Sequence, residues 1–518
     1  MTGDLKLVLL DPTAAVTSNN SPTAGTNPQL VDTGLTAQPS AGNNAPDDTN
    51  VYTAFETGTI NSGTGSVTGI HSARAAYVKG GKIFTVDTVP GHPHTPVQVS
   101  NIANACGFSG GDATQLEDFA TPQNSWLLVG QPGTDGTCYT TDDTMVAVKL
   151  TTAASAGGVA VAGLQGALAL HDSTGAITGF LDAIHNSDDT LTLQHRDVNF
   201  ATPATLAATA AATDAKVANA GIGLIYFAFQ AQGQTSYQLF SYNVGTGTLS
   251  GALYTFANGK PQGFKNSAAN ASTFFFPDGD RVLRIPRSAT TSGQAVLMTT
   301  LGGGLSIDQL ALTSQRIVGS ASSNTSNSGL IFSVANTASN ATATTVQSSG
   351  TNGTTVTIAR LDAVDPSGLV YISLSVSGTS GTTASAVLIH DDGTGSSSTA
   401  SAQWAGEVDS ADIANVQTTL HNPPTAVLRD VVTNPSGQTG THTLTAVSSA
   451  TGVASSTLGS INNCGFVQGF GIGRYVGIAA QVVHTGASDL DAYFADIQTA
   501  NSLSAVSTVD GADLYIGG

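Results

Sequence analysis

One arrangement of apolar and polar positions recurs from about residue 70 to the end of the chain. An apolar stretch of strand length runs into a polar turn, often containing Thr-Gly, and a second apolar stretch follows. The clearest copies are ALALHDSTGAITGF (167–180), YQLFSYNVGTGTLSGALYTF (237–256), AVLIHDDGTGSSS (386–398) and HTLTAVSSATGVASSTL (442–458). Weaker copies are KIFTVDTVPGHPHTPVQV, TMVAVKLTTAASAGGV and DAYFADIQTANSLSAV, and the opening KLVLLDPTAAVT fits as well. A second form has a tighter turn: TFFFPDGDRVLRI (273–285) and LDAVDPSGLVYISLSV (361–376). Pro-Asp-Gly and Asp-Pro-Ser-Gly carry the turn chemistry there, between runs rich in β-branched and aromatic residues. The pattern predicts many short antiparallel strands and few helices.

The spacing of equivalent turns adds organisation. Thr174 and Thr246 are 72 apart, Thr246 and Thr394 are 148 apart, and Thr394 and Thr451 are 57 apart. Units of roughly 50–75 residues, each with about four strands, accommodate these intervals. This resembles the general β-propeller pattern of apolar strand, D-x-x-T-G-type turn, apolar strand. The resemblance covers most of residues 70–510 and is to an architecture, not to a particular family. It implies an all-β fold with a single propeller of about eight blades, seven being the alternative. Tandem β-sandwiches and a parallel β-helix are the rival architectures. Sandwiches call for a composition break about every 100 residues, and only one such break is present.

That break is residues 17–65, rich in Pro, Gly, Asn, Ser and Thr, which reads as a linker or surface arm. An apolar strand, Leu5–Leu10, precedes it. Asn-Ala-Cys-Gly-Phe (104–108) recurs as Asn-Asn-Cys-Gly-Phe (462–466), with Pro-Gln-Gly-Phe (261–264) as a weaker echo. If these sites are equivalent, the first and last units are copies of one module, and residues 1–16 are expected to complete the last sheet and close the ring. The expected organisation is thus a closing strand (1–16), a linker (17–65) and a propeller (66–518).

Composition narrows the class. Charged residues make up 10% of the chain, with three Glu and seven Lys, while Gly alone numbers 59. Residues that cover helix surfaces are scarce and residues that make turns are abundant. The formal charge of -19 should repel nucleic acid and anionic membranes. No apolar run is long enough for a transmembrane helix. The opening MTGDLKLVLLDPT lacks the layout of a signal peptide, so the expected location (extracellular, periplasmic or outer surface) presumes a leader removed upstream. A lipobox in an uncut N-terminus would mark a lipoprotein.

Candidate chemistry is sparse. GTDGTCYTTDD (133–143) joins two strand candidates and is first a hairpin loop. Its Asp135, Asp142 and Asp143 are candidate calcium ligands, although they miss the spacing of an EF-hand loop. Cys106 and Cys138 are the favoured disulfide, closing a loop worth about 3–4 kcal/mol in the chain-entropy model. Cys106–Cys464 is the alternative, and an odd count leaves one thiol over. His92 and His94 in GHPHTP form the only close histidine pair. His185, Asp188, Asp189 and His195 place carboxylates near imidazoles, the pairing of general-base work, within what otherwise reads as a polar hairpin tip. Arg281, Arg284 and Arg287 form the only basic cluster; Arg281 and Arg287 share strand parity and are candidate anion contacts. Asn270, Asn324, Asn340 and Asn352 begin sequons that chance explains. There is no G-x-S-x-G, Walker A or H-E-x-x-H motif.

Three functions follow as expectations: a non-enzymatic binding or scaffold propeller meeting protein or polysaccharide at a cell surface, a self-assembling surface or filament protein using strand addition, and a propeller hydrolase or lyase acting on polysaccharide or ester.

Overall fold

The computed structural model describes residues 4–507 apart from 12–13, 18–22, 37–51, 61–66, 90, 100–101, 103–104, 106–114, 137–143, 151–157, 212–215, 220–222, 313–314, 324–328, 349–354, 365–368, 379–380, 392–397, 404–425, 437–438, 449–453, 473–474, 485–487 and 497. The described chain is all-β, with two single-turn 3-10 helices at Pro122–Asn124 and Phe264–Asn266. Among the described residues, no helix is long and apolar enough to cross a membrane.

Eight antiparallel sheets of four or more strands follow one another among the described residues, each built from strands consecutive in the chain. The first contains Tyr52–Ile60, Val67–Lys79, Lys82–Asp87 and Val97–Gln98. The second runs from Gln115–Leu116 through Trp126–Gln131 and Thr144–Lys149 to Val159–Val161, and the third comprises Leu164–His171, Ile177–His185, Leu191–Arg196 and Ala204–Ala208. The fourth is centred on Leu224–Gln230 and Tyr237–Asn243, the fifth on Thr273–Asp278 and Arg281–Pro286, and the sixth on Arg316–Ser323 and Gly329–Ala335. The seventh spans Thr355–Val364 to Ser398–Gln403, and the eighth has six strands from Ala426–Ser436 to Ser504–Ser507.

The turns owe their sequence to local hydrogen bonding. Asp172 Oδ1 accepts from Thr174 N, Thr174 Oγ1 and Ala176 N at 2.8, 2.7 and 3.2 Å. Asp197 Oδ1 does the same for Asn199 N and Ala201 N, and Asn270 Oδ1 for Ser272 N and Thr273 N. These Asx turns explain why Asp or Asn followed by Thr, Ser or Gly punctuates the apolar runs.

The first six sheets stack face to face in chain order. Successive strand residues point to opposite faces, and here both faces are buried. In Trp126–Gln131, Leu127 and Val129 pack on Ala76, Val78 and Ile83 of the first sheet, while Trp126 and Leu128 pack on Phe180 of the third. In Leu224–Gln230, Ile225, Phe227 and Phe229 meet Leu181 and Leu193 of the third sheet, and Tyr226 stacks on Phe274 of the fifth at 3.9 Å. Phe274 and Phe276 turn back to the fourth sheet, and Phe275 forward to the sixth. Runs such as TFFF are continuous instead of alternating for this reason. A sheet of a two-layer sandwich would bury one face only.

Gly319 shows how closely side chains crowd across neighbouring strands of the sixth sheet. A Cβ there would lie 2.4 Å from Phe332 Cζ and 2.9 Å from Gln309 O. Gly319→Ala is therefore expected to destabilise the protein by about 1–3 kcal/mol through overpacking, read as a lower urea midpoint at unchanged slope.

The opening strand departs from expectation. It is present as Asp4–Leu9, but its ladder partner is Gln29–Thr36, not the last sheet. The two form a separate ribbon on the outer face of the first sheet, where Leu7 and Leu35 pack against Ala75, Tyr77 and Val86. The returning loop is held by Asn27, whose Nδ2 donates to Asp11 O and Ala14 O, while its Oδ1 accepts from Asp11 N. Closing this short hairpin costs about 3 kcal/mol less loop entropy than pairing across the whole chain. Residues 17–65 accordingly contain two strands, Gln29–Thr36 and Tyr52–Ile60, and the first sheet begins inside the expected linker.

The ribbon is also pinned by charge. Asp32 accepts from Tyr77 Oη and Lys79 Nζ, both at 2.6 Å. Burial raises the Asp32 carboxyl, but the bonds from Lys79 and Tyr77 more than offset this and hold it below the ordinary carboxylate range. A depressed folded pKa stabilises above the unfolded value and is lost as pH falls through the folded one. Protection of the ribbon from proteolysis is thus expected to hold at neutral pH and to weaken below about pH 4, with an Asp32→Asn variant showing no such acid step.

Of the first Asn-Ala-Cys-Gly-Phe copy, Ala105 alone is among the described residues. Asn-Asn-Cys-Gly-Phe lies inside the long strand Ala454–Ile472, at the bulge between Cys464 and Phe466. Ala105, in the first copy, belongs to the connection between the first and second sheets, as Pro-Gln-Gly-Phe belongs to that between the fourth and fifth. Cys464 is a buried thiol packed with Leu444, Ile461 and Val482. Cys106 and Cys138 lie outside the described residues.

Candidate binding rim

The connections sort onto two rims. The segments joining one sheet to the next share an end with the turns between second and third strands. His185 N donates to Gly163 O, Ala105 N to Gly81 O, Ile307 N to Gly279 O and Leu301 N to Asp280 O, all at 2.7–2.9 Å. This end is the connector rim. At the opposite end the remaining turns meet: Phe119 N donates to Gly175 O, and Ile177 N to Asp118 Oδ2. First strands of neighbouring sheets approach one another, Gln115–Leu116 with Leu164–His171, and Leu305–Leu312 with both Ala268–Ala269 and Thr355–Val364.

Asp278 builds one sector of the connector rim. It is fully buried at the end of Thr273–Asp278. Its carboxylate accepts from Tyr254 Oη at 2.7 Å and from Ala257 N and Asn258 N at 3.0 Å, and Asn258 Nδ2 returns a bond to Asp278 O. Gly279 has φ +64, and a Cβ there would meet Asn258 Nδ2 at 2.8 Å. Burial and the Asp278 carboxylate raise the Tyr254 hydroxyl well above its ordinary range, so it stays a donor. The connection so held leads to exposed Lys265 and Asn266, and Asn266 Nδ2 donates to Asp308 O at 3.0 Å. Asp308 sits in a bulge of Leu305–Leu312, and burial pushes its carboxyl up.

The residues singled out from sequence are divided between the rims. His185, Asp188 and Asp189 form the exposed turn between the second and third strands of the third sheet, on the connector rim. His185 Nε2 lies 3.1 Å from Asp189 Oδ1, and Asp188 Oδ1 accepts from Thr190 Oγ1 at 2.6 Å and from Thr190 N at 3.3 Å. The Thr190 bonds hold the Asp188 carboxyl below its usual range. Arg281 follows the equivalent turn of the fifth sheet. His195 is at the other end, paired with Leu181 while His185 pairs with Leu191, which separates the two imidazoles by about 13 Å along the ladder. The His195 ring lies 6.2 Å from that of Tyr242, between the third and fourth sheets. Arg287 is also on the opposite rim, its Nη1 donating to Asn270 O. Asp135 is an exposed turn residue on the connector rim, whereas Asp142 and Asp143 lie outside the described residues. His92 Nδ1 lies 3.1 Å from Asp87 Oδ2, and His94 Nδ1 2.6 Å from Asp87 O. Among the described residues, no group of three or more His, Cys, Asp or Glu side chains is arranged to hold a metal.

Sequence reasoning missed the buried carboxylates. Asp278 reads as a turn residue in Pro-Asp-Gly, and its partners lie some 20 positions upstream. Asp182 and Arg196 form a buried pair, Nε to Oδ2 at 2.6 Å, on the face of the third sheet that packs against the second. Arg196 also lies over the Phe200 ring at 5.5 Å. Alternation within Ile177–His185 places Asp182 on the Phe180 face, which is the signal that was available.

No family model and no curated protein matches this chain. Among solved structures it is similar to a eukaryotic initiation factor (13% identity, 75% of this chain and 85% of that one, TM-score 0.37). It is also similar to an oligogalacturonate lyase (10% identity, 57% and 77%, TM-score 0.31) and to TolB from Acinetobacter baumannii (12% identity, 51% and 58%, TM-score 0.24). At these values nothing of their chemistry carries over.

Proposed function

We propose that this chain is an extracellular or cell-surface β-propeller of about eight blades, seven being the alternative, which binds a protein or polysaccharide through its connector rim. The observation that carries this reading is the packing of the first six sheets, each on the next, through opposite faces. Such packing buries the sheets and leaves the connections to meet a partner. The connector rim presents Asp188, Asp189, His185, Lys265 and Asn266 at its surface, a polar set suited to hydroxyl and amide groups. A calcium ion at Asp135, Asp142 and Asp143 and a Cys106–Cys138 bridge belong to the same reading and would brace the loop beside it.

The test is a solid-phase screen of cell-envelope polysaccharides and envelope proteins. It is followed by an Asp188→Ala/Asp189→Ala double variant, Lys265→Ala, and a control on the opposite rim, Val198→Ser, a residue 43% exposed. Losses of tenfold or more from the connector-rim variants with an unchanged control are expected. Equal losses from all, or from the control alone, would remove the assignment. Turnover of a polysaccharide or ester abolished by His195→Ala would favour the hydrolase or lyase alternative instead.

A further inference from the structure

The ribbon and the first sheet share no backbone ladder among the described residues. The ribbon's ladder closes between Asp4–Leu9 and Gln29–Thr36, and that of the first sheet runs from Tyr52–Ile60 to Val97–Gln98. Side chains alone dock the ribbon: Leu7 and Leu35 against Ala75, Tyr77 and Val86, and Asp32 against Tyr77 Oη and Lys79 Nζ. Every one of these contacts falls on a single sheet face, the one turned away from the second sheet. Undocking would leave the first sheet's ladder intact and uncover an apolar patch with a cation, Lys79, at its edge.

From this we propose that the seat on the first sheet is a self-association site whose partner is the ribbon of a second copy of the chain. The seat recognises two features at once, an apolar ridge and a carboxylate placed to take two donors, and the ribbon of another copy supplies both. Exchange between two copies is reciprocal, so it keeps every contact of the closed form and generates a two-fold dimer. Residues 37–51 join ribbon to sheet, and a chain of that length reaches at most about 50 Å, enough to cross to a neighbouring molecule. Tethering gives the chain's own ribbon an effective concentration on the order of millimolar. The unmodified protein is therefore mainly self-docked in dilute solution and exchanges when crowded, as at a surface.

Charge reversal separates docking in cis from docking in trans. In an Asp32→Lys chain the ribbon faces Lys79 with a like charge, and in a Lys79→Asp chain it faces Asp32 with one. When the two are mixed, each ribbon finds an opposite charge on the other chain's seat. Each variant alone is expected to sediment as a monomer with an exposed ribbon, cleaved at least tenfold faster by protease. The equimolar mixture at tens of micromolar is expected to sediment as a dimer that dissociates in high salt. A mixture that remains monomeric while both variants keep native circular dichroism overturns the proposal, and so does a single variant whose ribbon stays as protected as in the parent. Should either variant fail to fold, Asp32→Cys and Lys79→Cys chains are mixed. A heterodimer in which positions 32 and 79 are joined, found by mass spectrometry after adding a thiol-reactive linker of about lysine length, supports exchange, and its absence rules it out.

Discussion

Replacing Asp278 by alanine is expected to lower stability by about 2–4 kcal/mol, more than any other single change on the connector rim. The carboxylate is fully buried and accepts three hydrogen bonds, two from backbone N–H groups of the connection between the fourth and fifth sheets and one from Tyr254. Hydrogen bonds to a charged acceptor are worth about 1.5–3 kcal/mol each, and donors left inside cost about 1–3. Ala257 and Asn258 are themselves exposed, so water recovers part of the loss, which sets the lower end of the range. Asp278→Asn retains an acceptor and should lose about half as much. The two readouts are the urea midpoint and amide exchange. A drop in midpoint at constant slope, with faster exchange at Ala257 and Asn258, is expected. Unchanged exchange at those two amides would show that the connection is held by something other than this carboxylate.

The second large effect lies at the seam between the second and third sheets. Asp182→Ala should cost about 3–5 kcal/mol, because it strands the Arg196 charge in a buried site. Arg196 would keep only Gln194 Oε1, at 3.1 Å, and the Phe200 face. Burial pushes the Asp182 carboxyl up, the Arg196 bond offsets part of that, and the second oxygen, Oδ1, finds no hydrogen-bond partner. The pair therefore carries an unpaid desolvation cost. Asp182→Leu combined with Arg196→Met should be close to neutral or stabilising, in the manner of other buried ion pairs replaced by apolar residues of similar volume. Equilibrium unfolding of the two single variants and the double variant closes the cycle. A double variant as unstable as the worse single one would mean that the pair fixes the seam by geometry that leucine and methionine cannot reproduce.

Both effects concern carboxylates that looked unremarkable in the sequence, whereas the elements around them were legible. The run LIYFAFQ is a strand because its residues are β-branched and aromatic. Asp172 with Thr174 is a turn because its carboxylate bonds backbone two to four residues ahead. Interactions of that range are decided by neighbours in the chain, so the strands, the turns and the division into units of about four strands could be read directly. What the alternation did not reveal was which neighbour each face would meet, since a run buried on both sides has no polar face to mark its orientation.

The chain's own order of residues determined that this protein would be a series of antiparallel sheets with Asx-type turns, because those features arise within a few residues of one another. Tertiary structure alone decided that Asp4–Leu9 pairs with Gln29–Thr36, that Asp32 meets Tyr77 and Lys79, and that Asp278 holds the preceding connection. Each of these depends on a partner brought close by the stacking of sheets or the closure of a loop, and the free energy that selects it belongs to the packed arrangement as a whole.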